Sequence, residues 1–202
     1  MARQRSKKPL AKALQIEQLK KRLAAARRTI AALRLRADTD ALLDILNRRG
    51  FERELRRSIA YVKRYQASAA LIFVDVDGLK PINDRLGHAA GDIVLKTVSQ
   101  TLVANVRSSD VVARLGGDEF GVLLWNLQPA DARQKARALE ARIDRLDLAY
   151  RGQTLRIGAS AGIVMLDGDE EAELALSRAD QAMYQRKSER KRARRTRAAV
   201  RR

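Results

Sequence analysis

The stretch RLGGDEFGVLL, residues 114–124, sets two glycines and two acidic residues between apolar segments. Apolar segments on both sides of a Gly-Gly pair predict two β-strands joined by a tight bend. Gly116 and Gly117 permit positive φ angles and let a ligand approach the backbone closely. Asp118 and Glu119 would then stand at the bend, either as solvated turn residues or as the carboxylates of a site.

A second acidic pair closes the apolar stretch AALIFVDVD, residues 69–77. Alternate residues of a strand face the same side, so Asp75 and Asp77 should emerge together from a buried edge. Burial is costly for an ionised carboxylate unless a cation compensates it. Magnesium is bound through one or two carboxylates together with substrate phosphates. The pattern therefore predicts a hard divalent cation between this pair and the acids of the bend.

Residues 38–185 alternate between helical and strand-like patterns in the order α-β-α-β-β-α-β-α. The predicted strands are 69–77, two strands within 110–125, and 153–166. The predicted helices are 51–65, 89–106, 130–146 and 171–190. Within this order, β-α-β-β-α-β is the ferredoxin-like arrangement, an antiparallel sheet with helices on one face. We therefore expect an α+β fold with this core, preceded by an N-terminal helix.

Composition excludes several classes of protein and site. The 202 residues contain no cysteine and one histidine, which excludes disulfides, thiolate metal sites and multi-histidine zinc sites. A hydrophobic fraction of 46% is sufficient for a globular core. No apolar segment approaches the length of a membrane span, and the basic N-terminus is not followed by the apolar segment of a signal peptide. We expect a cytoplasmic protein without a membrane span.

The net charge of +18 is concentrated at the two ends. Residues 1–37 and 186–202 hold 12 and 10 lysines and arginines, with one acidic residue each, and the middle is close to neutral. We expect three parts: a helix over 1–37, a catalytic domain over 38–191 and a basic tail over 192–202. Nucleic-acid binding by the basic ends is an alternative, but few aromatic residues interleave there for base stacking.

Residues 10–37 carry apolar residues at alternating spacings of three and four, the heptad pattern of a coiled coil. The seam consists of Ile16, Leu19, Leu23, Ala26, Ile30, Leu33 and Ala37. The basic residues Lys20, Arg22, Arg27, Arg34 and Arg36 flank this seam and would repel one another in a parallel dimer. The helix is either a dimerising stalk or an amphipathic helix packed on its own domain.

Four sequence blocks occur in a characteristic order: FVDVDGLKPINDRLGHAAGD, RSSDVVARLGGDEF, SAG and ADQAMYQRK. Together they resemble the GGDEF family of diguanylate cyclases over residues 38–191. The resemblance implies the condensation of two GTP into cyclic di-GMP and two pyrophosphates. It implies Mg²⁺, or Mn²⁺, as the cofactor and a homodimer, because each domain holds one GTP and the two domains face each other.

The resemblance also implies roles for individual residues. The implied metal ligands are Asp75, Asp118 and the carbonyl of Val76. Asp118 also matches the family's general base, and Glu119 is the second acid of the catalytic motif. The implied substrate-binding residues are the backbone amides of Gly78, Leu79 and Lys80, the guanine-reading pair Asn83 and Asp92, His88 of the family's usual Gly-His pair, and the phosphate contacts Lys187 and Lys191.

Arg107 and Asp110 form an R-x-x-D pair five residues before the glycines, in the position of the family's inhibitory product site. The resemblance therefore implies that cyclic di-GMP is an inhibitor as well as the product. Leu43 and Asp44 depart from the pattern, because the family usually has a Thr-Gly pair there.

Two alternatives within the family remain. A degenerate domain would bind GTP or cyclic di-GMP without chemistry, but such domains usually lack a motif acid or the Asn/Asp pair. A cyclase with a mixed GMP–AMP product would alter the guanine-reading aspartate, and Asp92 argues against it.

Overall fold

The computed structural model describes residues 7–200, with side chains described for residues 15–30, 37–193 and 196. The chain divides into two compact units, one up to Asp38 and one from Thr39 onward. The first unit is a single helix, α1 (Lys7–Asp38). The seam residues Ile16, Leu19, Leu23 and Ile30 are about half exposed. Leu33, Arg34 and Arg36 of the predicted heptads lie outside the described side chains.

The second unit is built on a five-stranded sheet with a separate two-stranded hairpin. The sheet has the strand order β1-β3-β4-β2-β7, and the hairpin pairs β5 with β6. The strands are β1 (Leu46–Asn47), β2 (Ala69–Asp77), β3 (Val111–Gly116), β4 (Glu119–Trp125), β5 (Leu148–Tyr150), β6 (Gln153–Leu155) and β7 (Gly158–Met165). The helices are α2 (Arg48–Tyr65), α3 (Leu79–Leu86), α4 (His88–Ala104), α5 (Pro129–Asp144) and α6 (Ala172–Val200).

The order β2-α4-β3-β4-α5-β7 confirms the predicted ferredoxin-like core. Strand β2 pairs antiparallel with both β4 and β7, and β3 pairs antiparallel with β4. The short strand β1 adds to this core in parallel with β3. The predicted bounds of β2 agree with the structure at both ends.

Two hydrophobic cores cover the two faces of the sheet. Ile72 and Val74 of β2 belong to the core that contains α4 and α5 residues. Leu71 and Phe73 belong to the core that contains α2 and α6 residues. A strand buried on both faces must be apolar at every position, which is why β2 reads as a continuous apolar segment rather than an alternating one.

Three short elements were not predicted, and one predicted strand is wrong. The sequence suggests one strand over 153–166, but the structure divides it into β6 and β7 at Arg156 and Ile157. The cause is the β5–β6 hairpin, whose turn contains Gly152 at a φ of +76° and whose Leu155 is buried in the first core. The elements without a prediction are α3, β1 and β5, each of eight residues or fewer.

Helix α6 continues without a break to Val200, through most of the segment expected as a basic tail. Among the described residues, none of the helices combines the length and the apolar character needed to cross a membrane.

Gly121 of β4 provides a test of packing between the sheet and α2. A Cβ atom at this position would lie 2.6 Å from Cζ of the fully buried Phe51. We predict that Gly121→Ala lowers the free energy of unfolding by about 1–3 kcal/mol, because the ring has no space to retreat. Urea unfolding can be followed by the fluorescence of Trp125, the only tryptophan of the chain.

A double variant separates this clash from an effect on strand propensity. Phe51→Leu alone opens a cavity and is destabilising, but it removes the atoms nearest to the new methyl group. The double variant should therefore be more stable than the sum of the single effects by at least about 0.5 kcal/mol. Additive effects would show that the ring does not limit residue 121.

Candidate active site

The centre of the site is the carboxylate of Asp75, which is buried near the C-terminal end of β2. In the sheet register, Asp75 is paired with Glu119 of β4 on one side and with Ser160 of β7 on the other. Lys187 of α6 donates from Nζ to Asp75 Oδ1 at 2.6 Å and lies 3.8 Å from Asp77 Oδ1. Residues distant in sequence thus converge on one end of the sheet.

Opposing effects act on the protonation of this pair. Burial raises the pKa of Asp75 above its ordinary value, and the hydrogen bond and positive charge of Lys187 only partly oppose this. The nearby charges of Asp118 and Asp77 add to the increase. For Lys187, burial lowers the pKa, but the hydrogen bond and charge of Asp75 outweigh it, so the net pKa is raised. Lys187 therefore remains charged, but its positive charge does not fully compensate the carboxylates around it.

The β3–β4 hairpin brings the second acidic pair to the same place. Gly117 has a φ of +45°, which glycine adopts without strain, and Gly116 lies at an irregularity in the pairing of β3 with β4. Val76 donates its backbone N–H to the carbonyl of Asp118 at 3.0 Å, which ties the bend to the end of β2. Burial raises the pKa of Glu119, although Arg48 lies 3.7 Å away and opposes the shift.

Two arginines hold the hairpin in this position. Arg114 donates Nε and Nη2 to the carbonyl of Gly117 at 3.0 and 2.8 Å. Its Nη1 lies 3.4 Å from Asp40 Oδ2, in the turn that precedes β1. Arg48 donates Nε to the carbonyl of Leu115 at 2.8 Å. The bend is therefore fixed by side chains from outside the motif.

The turn after Asp40 accommodates the departure from the family pattern. Asp44 has a φ of +54°, a left-handed conformation that aspartate tolerates better than most residues other than glycine. Asp40 accepts hydrogen bonds from the backbone N–H groups of Leu42 and Leu43 at 2.9 and 3.0 Å. The turn therefore forms without the expected glycine.

The candidate phosphate loop follows β2 directly. Gly78 has a φ of +94° and precedes the first turn of α3, where backbone N–H groups lack partners within the helix. The side chain of Leu79 is buried, so only its backbone can serve a ligand. Lys80 is exposed. Such a turn can bind an anion such as a phosphate group.

Asn83 lies where α3 meets α4. Its Oδ1 atom is buried and has no hydrogen-bond partner in the part of the chain that the structure describes. Gly91 makes this arrangement possible, because a Cβ atom at that position would overlap Asn83 Oδ1. Asp92 follows in the sequence and is half-buried, whereas His88 is exposed in the first turn of α4. A buried amide oxygen without a partner is uncommon, and a ligand that donates a hydrogen bond would satisfy it.

The donor set fits a hard divalent cation that is shared with a phosphate-bearing ligand. Among the described residues, no group of three or more His, Cys, Asp or Glu side chains forms a site by itself. Asp75, Asp118 and the carbonyl of Val76 offer oxygen atoms only, and such ligands suit Mg²⁺ when substrate phosphates and water complete the shell. The raised pKa of Asp75 shows that its charge is incompletely compensated by the protein.

The remaining predicted site residues lie apart from this centre. Lys191 is exposed on α6, one turn beyond Lys187. Arg107 and Asp110 precede β3, whereas the acidic bend follows it, so a strand of about 20 Å separates them. The structure thus places the R-x-x-D pair at the opposite end of the β3–β4 hairpin.

Several residues that shape the site were not predicted. They are Arg48 and Arg114 at the hairpin, Ser160 on Asp77 at 3.2 Å, and Gly91 against Asn83. Only Gly91 offered a sequence signal, as a glycine within the predicted helix over 89–106. Arg48 and Ser160 act across large sequence separations that periodicity does not reveal, and Arg114 contacts both Gly117, three residues away, and the distant Asp40.

Comparisons with known proteins identify the family whose sequence and fold this chain shares. The model of the family described as "Diguanylate cyclase, GGDEF domain" matches residues 37–193. The probable diguanylate cyclase DgcE of Escherichia coli K12 is 39% identical over 159 residues, which cover 78% of this chain and 14% of DgcE. The chain spans less than a third of the length of the first curated relatives it matches.

Solved structures share the fold. A sensory box/GGDEF family protein from Caulobacter crescentus CB15 superposes with a TM-score of 0.70 at 34% identity, over 75% of this chain and 99% of that chain. The GGDEF domain of DgcB from the same species, in complex with c-di-GMP, superposes with a TM-score of 0.72 at 27% identity, over 75% and 91% of the two chains.

Removing Lys187 should change the titration of Asp75. We predict that Lys187→Met raises the pKa of Asp75 further, because the ionised carboxylate loses its hydrogen bond and its neighbouring positive charge. As the pH is lowered, Asp75 of this variant should therefore begin to bind its proton at a higher pH than Asp75 of the wild type. Carboxyl ¹³C NMR titration of the metal-free protein measures this.

Lys63→Met is the matched control, since it breaks an exposed lysine–aspartate pair with Asp169 at 2.8 Å. It should leave Asp75 unchanged. A pKa of Asp75 that stays constant or falls in Lys187→Met would contradict the electrostatic description of the site.

Proposed function

The chain belongs to the GGDEF domain family, and on that premise we propose that it is a diguanylate cyclase that forms cyclic di-GMP and two pyrophosphates from two GTP. The observation that carries this proposal is the buried Asn83 Oδ1, which has no partner among the described residues and lies on the helix that follows the phosphate loop and the acid-bearing end of β2. A single ligand with a base that donates hydrogen bonds and an anionic phosphate tail would meet all three features.

One GTP occupies each domain in this proposal. The guanine edge donates N–H groups to the Asn83 oxygen and to the Asp92 carboxylate. The phosphates lie on the backbone amides of Gly78, Leu79 and Lys80, and Lys187 and Lys191 supply positive charge. His88 stands at the start of α4, where its exposed ring can contact the nucleotide.

Asp75, Asp118 and the carbonyl of Val76 would hold Mg²⁺, or Mn²⁺ in its place. When bound, the ion neutralises phosphate charge as it develops during the transfer. In the chemical step the 3′-oxygen of one GTP attacks the α-phosphorus of the other. The bond to the β-phosphate oxygen breaks, and pyrophosphate leaves. Asp118 accepts the proton of the 3′-hydroxyl, and Glu119 lies beside it as a second carboxylate.

The reaction requires two copies of the domain, because each nucleotide is both nucleophile and electrophile. Helix α1 provides a means of association, since its half-exposed seam would be covered by the same helix of a second chain. Linking the two domains in this way raises the effective concentration of each domain near the other.

We further propose that cyclic di-GMP inhibits through Arg107 and Asp110. The guanidinium of Arg107 is exposed and makes no hydrogen bond or ion pair within the described residues, so it can bind a phosphate or a guanine edge. It borders a cleft of about 310 Å³ that Asp110, Trp125 and Lys135 also line.

Asp110 has a second role that the sequence did not suggest. Its Oδ2 accepts from the backbone N–H of Arg107 at 2.8 Å, and its Oδ1 from that of Trp125 at 3.2 Å. The pair is thus joined through the Arg107 backbone rather than as a surface ion pair. Asp110 shapes the loop, which leaves Arg107 as the clearer probe of ligand binding.

Synthesis should depend on Asp118. With GTP and Mg²⁺, we expect the wild-type chain to form cyclic di-GMP and Asp118→Asn to form at least about 100-fold less, because proton acceptance and metal binding are both lost. Chromatography of the products measures this. Asp169→Asn, which alters an exposed surface acid, is the control. Binding of GTP without any product in the wild type would support the alternative of an inactive effector domain.

Feedback should depend on Arg107. We predict that Arg107→Ala lets the reaction proceed several-fold further before it stalls, roughly as expected when a charged contact to the inhibitor is lost. Progress curves normalised to their initial rates measure this, with Arg133→Ala on the exposed face of α5 as the control. Stalling at the wild-type product level would refute the inhibitory site.

A further inference from the structure

The outer edge of β7 is covered by two carboxylates of α5. Strand β7 is the last strand of the sheet, so one side of its backbone has no neighbouring strand. Ala161 donates its backbone N–H to Glu140 Oε1 at 2.9 Å, and Ala159 donates to Asp144 Oδ1 at 3.2 Å. These bonds satisfy amides that would otherwise be open to pairing with another strand.

The same two carboxylates hold α6. Arg186 donates Nε to Glu140 Oε1 at 3.0 Å and Nη2 to Glu140 Oε2 at 2.7 Å. Arg190 donates Nη2 to both oxygens of Asp144 at 2.6 and 2.7 Å. Both helices use a spacing of four residues, so the two pairs stack one turn apart. The Glu140 side chain is only 3% exposed and that of Arg186 is 36% exposed, so the carboxylate is buried and the pair as a whole is partly buried.

Lys187 follows Arg186 directly but lies on a different face of α6. Ala179, Met183 and Lys187 succeed one another at four-residue steps, and the first two are buried against the sheet. Gly162 of β7 allows this close approach, because a Cβ atom there would overlap the backbone of Met183 and Ala179. Lys187 continues the same stripe to the end of the sheet, where it reaches Asp75.

We propose that the Glu140–Arg186 and Asp144–Arg190 pairs are positioning contacts that fix the rotation of α6 and thereby hold the Lys187 ammonium group in the active site. A rotation of α6 about its axis would carry Lys187 away from Asp75, and two directional ion pairs on the neighbouring face, of which Glu140–Arg186 is bidentate, resist that rotation. Buried ion pairs add little net stability compared with apolar residues, so their strict geometry is the more important contribution.

The inference rests on the proposed function, in which Lys187 contacts the phosphates of GTP. Glu140 and Arg186 belong to the contacts between α5, β7 and α6 and touch neither Asp75 nor Asp118. Glu140 also holds Ala161 of β7, next to Ser160, so a double-variant comparison is needed to separate an effect through Lys187 from one through β7.

The first measurement is the KM for GTP of the full chain. Arg186→Met should raise KM roughly tenfold and change kcat less, because a displaced lysine no longer meets the phosphates. In a Lys187→Met background the same substitution should have no further effect. Arg178→Met is the control, since it removes a 2.6 Å ion pair with Glu170 on the same helix but far from Lys187.

The second measurement needs no nucleotide. The rate at which an amine-reactive acetylating reagent modifies Lys187 is followed by mass spectrometry, with the exposed Lys96 as the internal reference. Arg186→Met should increase the labelling of Lys187 several-fold, whereas Arg178→Met should not. If the wild type makes no cyclic di-GMP, the proposed function fails, and the labelling rate still decides the inference.

Stability is controlled with two further variants. Arg186→Met leaves Glu140 buried without its bidentate partner, so thermal unfolding accompanies each assay. Glu140→Gln/Arg186→Met removes both charges, and Arg186→Lys retains the charge without the two-pronged contact. Provided that they fold, Glu140→Gln/Arg186→Met and Arg186→Lys should each raise the KM for GTP and the labelling rate of Lys187. The proposal is overturned if the KM for GTP and the labelling rate of Lys187 stay unchanged in the folded variants. It is also overturned if Arg186→Met still raises KM in the Lys187→Met background.

Discussion

A carboxylate buried at the end of the central strand is the constraint on which the rest of this structure depends. Strand β2 is covered on both faces, and its burial extends past Asp75 to Val76. Such a group requires positive charge or hydrogen-bond donors. Lys187 supplies part of that charge from a helix more than one hundred residues away, and the raised pKa of Asp75 shows that the compensation is incomplete. This deficit is the physical reason for the divalent metal ion in the proposed function.

Helix α6 must satisfy two requirements at once. It closes the second hydrophobic core by packing its small residues against β7, and it delivers Lys187 to the end of the sheet. The close approach at Gly162 sets the distance between helix and strand, but apolar packing alone specifies rotation weakly. Directional contacts such as the Glu140–Arg186 pair can specify what apolar packing does not.

The proposed catalytic and inhibitory residues lie at the two ends of one hairpin. The bend between β3 and β4 carries the acidic motif, and the opposite end carries Arg107 and Asp110. Both ends contain irregular backbone. The paired strands between them keep the two ends about 20 Å apart. A ligand at the far end therefore cannot occupy the active site of its own domain, so inhibition there would have to act through the arrangement of two domains.

The sequence by itself determined the α+β class, the ferredoxin-like core and the bounds of β2, because continuous apolar strands and amphipathic helices leave strong local patterns. It also singled out the two acidic pairs, since charged residues beside apolar strands are conspicuous. It missed β1, β5 and α3, whose few residues give no reliable periodicity, and it merged β6 with β7.

The tertiary structure alone decided which residues complete the site. Arg48 and Arg114 fix the bend, Gly91 makes room for Asn83, and Lys187 reaches Asp75 across 112 positions of sequence. The role of Asp110 as a backbone acceptor was likewise invisible in the R-x-x-D pattern. Local pattern reports which face of an element is buried, but it carries no information on which distant side chain a buried polar group meets. That pairing depends on how the sheet and the helices pack in three dimensions.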